Sequence, residues 1–93
     1  MTDDNQTQHG KPIRLTKHAQ EQCLERGTNE AEVIQAIRKG VGEPAKKNRL
    51  QYRYNFEYNS TWQNRHYAIK QVAPVIVEEA EEVVVITVYT FYF

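Results

Sequence analysis

Large apolar and polar side chains alternate strictly through nine residues near the middle of this chain. The apolar members are Leu50, Tyr52, Tyr54, Phe56 and Tyr58, and the polar residues between them are Gln51, Arg53, Asn55 and Glu57. Because successive side chains of an extended chain point to opposite faces, a period of two predicts a strand with one buried and one open face. All ten aromatic residues lie beyond residue 50. We therefore expect the C-terminal half to build a sheet.

Further strands are predicted after this one. Residues 59–64 (NSTWQN) have the composition of a turn, and residues 66–77 are rich in β-formers. Pro74 interrupts this second segment and lacks an amide donor, so it marks an edge, a bulge or a break between two strands. The glutamate-rich residues 78–82 predict the next turn, and residues 83–93 predict a long final strand.

The N-terminal half has the pattern of two short helices. Thr16 is a candidate N-cap for the first, which ends at Arg26 and Gly27 with a cation and a left-handed glycine. Asn29, followed three residues later by Glu32, predicts a capping box for the second helix, which ends in the same manner at Gly40. Residues 41–48, with a glycine and a proline among lysines, are predicted to form a loop.

These segments together predict an α+β fold, with two N-terminal helices packed on one face of a single antiparallel sheet of three to four strands. We expect one domain over residues 13–93, because 93 residues suffice for one hydrophobic core. Residues 1–12 contain no large apolar residue after Met1 and are predicted to form a flexible tail.

Charge and cysteine content narrow the classes of function. The charges of twelve basic and twelve acidic residues cancel, which excludes the strongly basic class of nucleic-acid-binding proteins. The positive charge is nevertheless concentrated locally, since six basic residues and one acidic residue fall between Lys46 and Lys70. The single cysteine excludes an internal disulfide and a CxxC pair, which is typical of the cytoplasm. No apolar run approaches a membrane span. We expect a cytoplasmic protein with no metal, cofactor or membrane contact.

Alternation also predicts which side chains face solvent on the sheet. In the last strand Val84, Ile86 and Val88 are expected beneath the helices, and in the preceding strand Tyr67 and Ile69 are expected in the core. The open face would then carry Ala68, Val83 and Val85, together with a group formed by Arg53, His66, Lys70, Thr87 and Tyr89. A polar and cationic group on a hydrophobic sheet is where we expect a ligand.

Several short motifs occur in a characteristic order: His18-Ala19, Arg26-Gly27, Glu32-Val33 and residues 85–89 (VITVY). In this order the chain resembles the domain-of-unknown-function family 4258. That family is grouped with the RelE-like and barnase-like small ribonuclease toxins. The resemblance implies a RelE/barnase-like fold and RNA as the target, with metal-independent cleavage or descent from an enzyme that performs it.

The resemblance also implies roles for individual residues. His18 would act as general acid or base and Arg26 would bind phosphate. Lys70 and Arg53 would add positive charge, while Thr87 and Tyr89 would hydrogen-bond phosphate or stack on a base. His18 and Arg26 are separated by ~12 Å along one helix, so they would flank a site rather than share one atom.

Each of these residues can also have a purely structural role. His18 is compatible with a solvated first-turn residue, Arg26 with a cation that favours the helix dipole, and Lys70 with a solvent-facing strand residue. Thr87 is also a common strand former. The neutral charge and the glutamate cluster favour an inactive relative of the ribonucleases.

The chain ends in three aromatic residues, Phe91, Tyr92 and Phe93. They carry more apolar surface than a small monomer easily buries. The rival hypothesis is therefore a non-catalytic interaction module or a homodimer that uses the sheet edge or these C-terminal aromatics. A third hypothesis is an antitoxin-like regulator held by a partner encoded beside it. The toxin resemblance also implies a cognate antitoxin-like protein as a partner.

Overall fold

Two helices cover one face of a five-stranded sheet in the computed structural model, which describes residues 10–93. The elements in chain order are β1 (Ile13–Leu15), α1 (Lys17–Arg26), α2 (Glu30–Lys39), β2 (Val41–Ala45), β3 (Arg49–Trp62), β4 (Arg65–Glu78) and β5 (Val83–Tyr92). The strand order across the sheet is β1-β5-β4-β3-β2. Strand β1 is parallel to β5, and the other neighbours are antiparallel. The α+β class with two helices is confirmed.

The predicted sheet of three to four antiparallel strands is corrected to five strands of mixed direction. Strand β1 was missed because it has three residues and leads directly into α1. Strand β2 lies within the predicted loop; its sequence, VGEPA, contains a glycine and a proline, which are typical of loops. Proline is tolerated there since β2 lies at the edge of the sheet. A short 3-10 turn, Lys46–Asn48, completes the segment.

Both predicted helix starts are confirmed by hydrogen bonds. Thr16 Oγ1 accepts from the Ala19 amide at 3.1 Å, and Asn29 Oδ1 accepts from the Glu32 amide at 2.8 Å. These caps satisfy amides that lack partners within the helix. The Glu32 carboxylate accepts from Thr28 Oγ1 at 2.7 Å, which is a different donor from the one that a capping box predicts.

The two helices end differently. Gly27 adopts the predicted left-handed conformation, with φ of 77°, and this reverses the chain between the helices. Gly40 was predicted to end α2 in the same way, but its φ is −82° and its backbone is extended. The chain therefore passes from α2 straight into β2, one residue later.

The core lies between the helices and the sheet. Its fully buried aliphatic side chains include Val33 and Ile37 of α2, Val72 and Ile76 of β4, and Val83, Val85 and Val88 of β5. The predicted alternation of β3 is also present, since Leu50, Tyr52, Tyr54 and Phe56 all pack on this core. Burial of these side chains is the main source of stability.

The predicted alternation of β5 is wrong at its start. Val75 pairs with Thr87 while its neighbour Ile76 pairs with Val85, so Ile86 is an extra residue in β5. This bulge shifts the alternation by one, which places Val83 and Val85 in the core instead of Ile86. Beyond the bulge Val88 faces the helices as predicted. Of the three alternatives for Pro74, the edge and the break are wrong, because β4 is an inner strand that runs unbroken from Arg65 to Glu78. The bulge lies next to Pro74, at the register shift between Val75 and Ile76.

The β3–β4 hairpin is longer than predicted. Strand β3 continues to Trp62 across a register shift between Glu57 and Ser60, and the tight turn consists of Gln63 and Asn64, both at positive φ. Of the predicted tail, residues 1–9 lie outside the described residues. Lys11 Nζ pairs with Glu78 at 3.0 Å, and the Pro12 carbonyl accepts from the Val83 amide at 2.9 Å.

Candidate functional site

Two side chains of α1 hydrogen-bond to the backbone of β5 on the side where β1 pairs with it. Strand β1 pairs with β5 only at residues 83–85. Further along, the Val88 amide donates to Gln22 Oε1 at 2.8 Å, and Arg26 Nη1 donates to the Val88 carbonyl at 2.7 Å. The two α1 side chains thus satisfy backbone groups that a neighbouring strand would otherwise pair.

Arg26 also reaches the open face of the sheet. Its guanidinium carbon lies 5.2 Å from the centroid of the Tyr89 ring, within the range of a cation–π contact. The Arg26 carbonyl accepts from Thr90 Oγ1 at 3.0 Å and from Tyr92 Oη at 2.7 Å. Because the backbone and the guanidinium are both held by β5, the charge of Arg26 has a fixed position beside Tyr89.

Alternate residues at the end of β5 form an exposed aromatic row. Tyr89, Phe91 and Phe93 are 41%, 43% and 56% exposed. Between them, Thr90 and Tyr92 face the helix side and bond to Arg26. The Tyr89 and Phe91 rings are nearly parallel, with 23° between their planes and 6.5 Å between their centroids. We call Tyr89, Phe91 and Phe93 the aromatic row.

Arg53 of β3 lies across the open face from Arg26, at the other side of the aromatic row. Its guanidinium carbon is 5.7 Å from the Phe91 centroid, and its Nη1 donates to Gln71 Oε1 at 3.1 Å. Gln71 in turn donates to Asn55 Oδ1 at 2.9 Å. Glu43 of β2 is 4.0 Å from Arg53 Nε and half exposed, so it compensates this charge only weakly.

Three of the six residues predicted as site residues therefore meet on one surface: Arg26, Tyr89 and Arg53. Thr87 lies on the same face of β5, two residues before Tyr89, and pairs across the sheet with Val75. His18 is exposed in the first turn of α1 and makes no hydrogen bond or ion pair with any residue from 10 onward. His66, which alternation also assigned to this face, is exposed near the hairpin turn, opposite Thr61.

The predicted orientation of Lys70 is wrong. Lys70 pairs with Phe56 and Tyr92, so its side chain lies on the helix-covered face and is buried. Its Nζ donates to the Gly27 carbonyl at 2.9 Å and lies 2.8 Å from Glu32 Oε1. The error arose because Ile69 was predicted in the core, which turns its neighbour Lys70 to the open face. The long aliphatic stem of a lysine can instead be buried when its ammonium has acceptors.

Phe91 and Gln71 are members of this surface that sequence reasoning did not assign to a binding site. Phe91 was recognised only as part of the C-terminal aromatics. The signal that identifies it is the spacing of two from Tyr89, which puts both rings on one face. No comparable signal identifies Gln71, because its role as a support for Arg53 depends on the register between β3 and β4.

A cavity of about 290 Å³ opens on the helix side, between β1, α1 and the start of α2. Cys23 lines it, and burial raises the pKa of this thiol above its usual value. The other lining residues are Leu15, Gln20, Leu24, Thr28, Asn29 and Glu30. The cavity is separated from the aromatic row by the sheet.

No group of three or more His, Cys, Asp or Glu side chains that suits a metal ion occurs within residues 10–93. Over the same residues, neither helix has the length and apolarity needed to cross a membrane.

Comparison with known proteins gives no match: no family model, no curated protein and no solved structure is significantly similar to the chain. The resemblance described under Sequence analysis therefore stays a prediction.

Proposed function

We propose that this domain binds single-stranded RNA on the open face of its sheet. The observation that carries the proposal is the contact between the exposed aromatic row and the two arginines at its sides, Arg26 and Arg53. Exposed aromatic rings stack on bases, and adjacent cations attract the backbone phosphates. The resemblance to ribonuclease-toxin-type proteins supports the same class of ligand.

Binding of a labelled, unstructured RNA oligonucleotide, followed by fluorescence anisotropy, tests this proposal. Tyr89→Ala and Phe91→Ala should each weaken binding by about 5- to 150-fold, because stacking on one aromatic ring contributes about 1–3 kcal/mol. Leu24→Ala is the matched control, since Leu24 is 84% exposed but lies on α1. The proposal fails if the wild-type protein does not bind, or if all three variants bind equally.

Arg53 offers an electrostatic test of the same surface. Arg53→Gln should reduce the slope of log affinity against log salt concentration by about 0.7, the value for one phosphate contact on a single strand. Lys46→Gln, which removes an exposed charge from the turn before β3, is the control. An unchanged slope in Arg53→Gln would show that this arginine makes no phosphate contact.

The catalytic form of the proposal is metal-independent cleavage of the bound RNA. In this form His18 is the general acid or base and Arg26 binds the phosphate, and Thr87 assists from the same face of β5. Lys70 would have to leave Glu32 to take part. Incubation with total RNA in EDTA tests it: cleavage that is lost in His18→Ala supports it, whereas no cleavage, or equal cleavage by both proteins, contradicts it.

A second candidate function is self-association or binding of a protein partner through the aromatic row. It is favoured by Phe93, the most exposed ring of the row, which makes no cation–π contact within residues 10–93. Sedimentation over a range of concentrations should then reveal a dimer that Phe93→Ser disrupts. A monomer at all concentrations would argue against self-association. A cognate antitoxin-like protein would occupy the same face.

A further inference from the structure

The two sides of the sheet end in edges of different character. On one side, β2 carries Glu43 and Pro44, and β3, which continues this edge, has a register shift after Glu57. Charges, proline and bulges are the usual means by which an edge avoids pairing with another chain. On the other side, β1 covers β5 only at residues 83–85, and residues 89–93 (YTFYF) contain no charge, proline or glycine. This part of β5 is an edge without such protection.

Hydrogen bonds at both ends of this segment show which backbone groups point outward. Phe93 and Ile69 of β4 exchange amide–carbonyl hydrogen bonds of 2.8 and 3.1 Å, so the backbone of Phe93 faces β4. The amide and carbonyl of Val88 face the opposite way and bond to side chains of α1. No bulge interrupts β5 between them. Because backbone groups alternate in direction along a strand, those of Thr90 and Tyr92 also point away from β4.

The outward groups of Thr90 and Tyr92 are open to a further strand. The side chains of both residues bond to the Arg26 carbonyl. Within residues 10–93, however, no strand pairs with β5 on this side beyond residue 85, and no side chain bonds to these outward amides and carbonyls. The free backbone groups lie directly beside the aromatic row.

We propose that a second copy of this chain adds its own β5 to this edge, antiparallel, with Phe91 of one copy opposite Phe91 of the other. In this register Thr90 lies opposite Tyr92 of the second copy. Each of the two symmetric pairs exchanges both of its hydrogen bonds, so every free group at both edges finds a partner. The inference rests on the second candidate function, self-association, to which it adds an edge and a register, and it does not depend on RNA binding.

The same register brings the exposed rings together on the open face. Phe91 meets its counterpart, and Tyr89 meets Phe93 of the second copy. These rings are 41% to 56% exposed in the single chain, and aromatic residues that lie opposite each other on neighbouring strands stabilise a sheet. The backbone groups and the side chains of this segment therefore favour the same pairing.

Other pairings fit less well. A slip of one residue would place outward groups opposite groups that point to β4. A slip of two residues, with Thr90 opposite itself, would need the backbone of Val88, whose amide and carbonyl are already bound by α1. A strand of an unrelated protein could use the free backbone groups, but β5 itself supplies matching rings at the matching spacing.

Thr90→Pro tests the edge, because proline removes the outward amide but no hydrogen bond to β4. Thr90→Val is the matched control, since it also loses the hydroxyl bond to Arg26 but keeps the amide. In sedimentation equilibrium, Thr90→Pro should dimerise at least about 5-fold more weakly than Thr90→Val, because one intermolecular hydrogen bond per copy is lost. Slow hydrogen exchange of the Phe91 amide, which points to β4, checks that Thr90→Pro is folded.

Two charged variants test the register without changing the backbone. Tyr89→Lys and Phe93→Glu should each weaken the dimer, because each puts a charge beside an aromatic ring of the second copy. The double variant should restore dimerisation, since the two introduced charges of opposite sign face each other across the interface. A double variant that dimerises no better than the single variants overturns the register.

The outcomes separate this edge from self-association in general. If Thr90→Pro dimerises as tightly as Thr90→Val, the edge pairing is overturned, although self-association through another surface stands. A wild-type protein that is monomeric at all concentrations removes both. In the wild-type protein, the Thr90 and Tyr92 amides should exchange more slowly as the protein concentration rises; exchange that is independent of concentration, in a protein that dimerises, also overturns the edge pairing.

Discussion

The ammonium of Lys70 lies 2.8 Å from Glu32 Oε1, and only 8% of the lysine side chain and 24% of the glutamate side chain are exposed. The same ammonium donates to the Gly27 carbonyl. The contact links the middle of β4 to the junction between α1 and α2. Because a buried charge without partners is strongly unfavourable, this pair fixes where the helix junction sits on the sheet.

Removing the ammonium should therefore destabilise the domain. Lys70→Met keeps the length of the side chain but leaves Glu32 without its cation and the Gly27 carbonyl without its donor. We expect a loss of about 2–4 kcal/mol, toward the low end of the range for broken buried pairs because Glu32 retains some solvent contact. Urea denaturation measures the loss, and Lys39→Met at an exposed position of α2 is the control. Equal midpoints would contradict a structural role for Lys70.

Gly27 should tolerate no side chain. Its φ of 77° is unfavourable for other residues, and an added Cβ would lie 2.5 Å from Tyr92 Oη and 2.6 Å from the Trp62 ring. Gly27→Ala should cost about 2–4 kcal/mol, from backbone strain together with overpacking. A Cβ at Gly10 would meet nothing within 4 Å, so Gly10→Ala should change the unfolding midpoint little. Similar midpoints for the two variants would be evidence against this packing.

The features that could be predicted from sequence are those determined by near neighbours. Thr16 and Asn29 cap their helices through amides three residues away, and Gly27 ends α1 by its own backbone freedom. The alternation of β3 likewise needs only consecutive residues. Each of these signals is local, so no knowledge of the remaining fold is required.

The errors concern features that depend on distant parts of the chain. The bulge at Ile86 is visible only in the pairing of β4 with β5, and Lys70 faces the core only because Glu32 and the Gly27 carbonyl meet it there. Alternation divides a strand into two faces but does not say which face is buried. The candidate site was found in part because Tyr89 and Arg53 follow local alternation, whereas the contact of Arg26 with Tyr89 depends on how α1 lies along β5.

Gln22 should contribute to stability because its side chain accepts the hydrogen bond of the Val88 amide, to which no neighbouring strand pairs on this side of β5. Gln22→Met conserves size but removes the acceptor for the buried Val88 amide. Leaving such a donor without a partner costs about 1–3 kcal/mol. Hydrogen exchange should show faster exchange of the Val88 amide, and denaturation should show the loss of stability. Glu21→Met, at the adjacent exposed position, introduces the same side chain as a control; unchanged exchange at Val88 in Gln22→Met would refute the prediction.

Tyr92 gives the domain a predicted sensitivity to alkaline pH. Burial, followed by the neighbouring Tyr58, raises the pKa of Tyr92 from 10.0 to about 12. The folded state therefore holds this proton more tightly than the unfolded chain does. The resulting stability is complete below pH 10 and is lost as the pH rises from about 10 through about 12.

Denaturation midpoints measured across this window should fall more steeply for the wild-type protein than for Tyr92→Phe, which has no proton to lose at this position. At neutral pH the wild-type protein should be the more stable of the two, because Tyr92→Phe loses the hydrogen bond to the Arg26 carbonyl, at a cost of about 1 kcal/mol. Tyr89→Phe is the control at neutral pH, since its hydroxyl makes no hydrogen bond within residues 10–93. The two stability curves should thus converge as the pH rises. Curves that stay parallel from neutral pH to pH 12 would mean that the Tyr92 hydroxyl titrates alike in the folded and unfolded chains, and would contradict a pKa raised by burial.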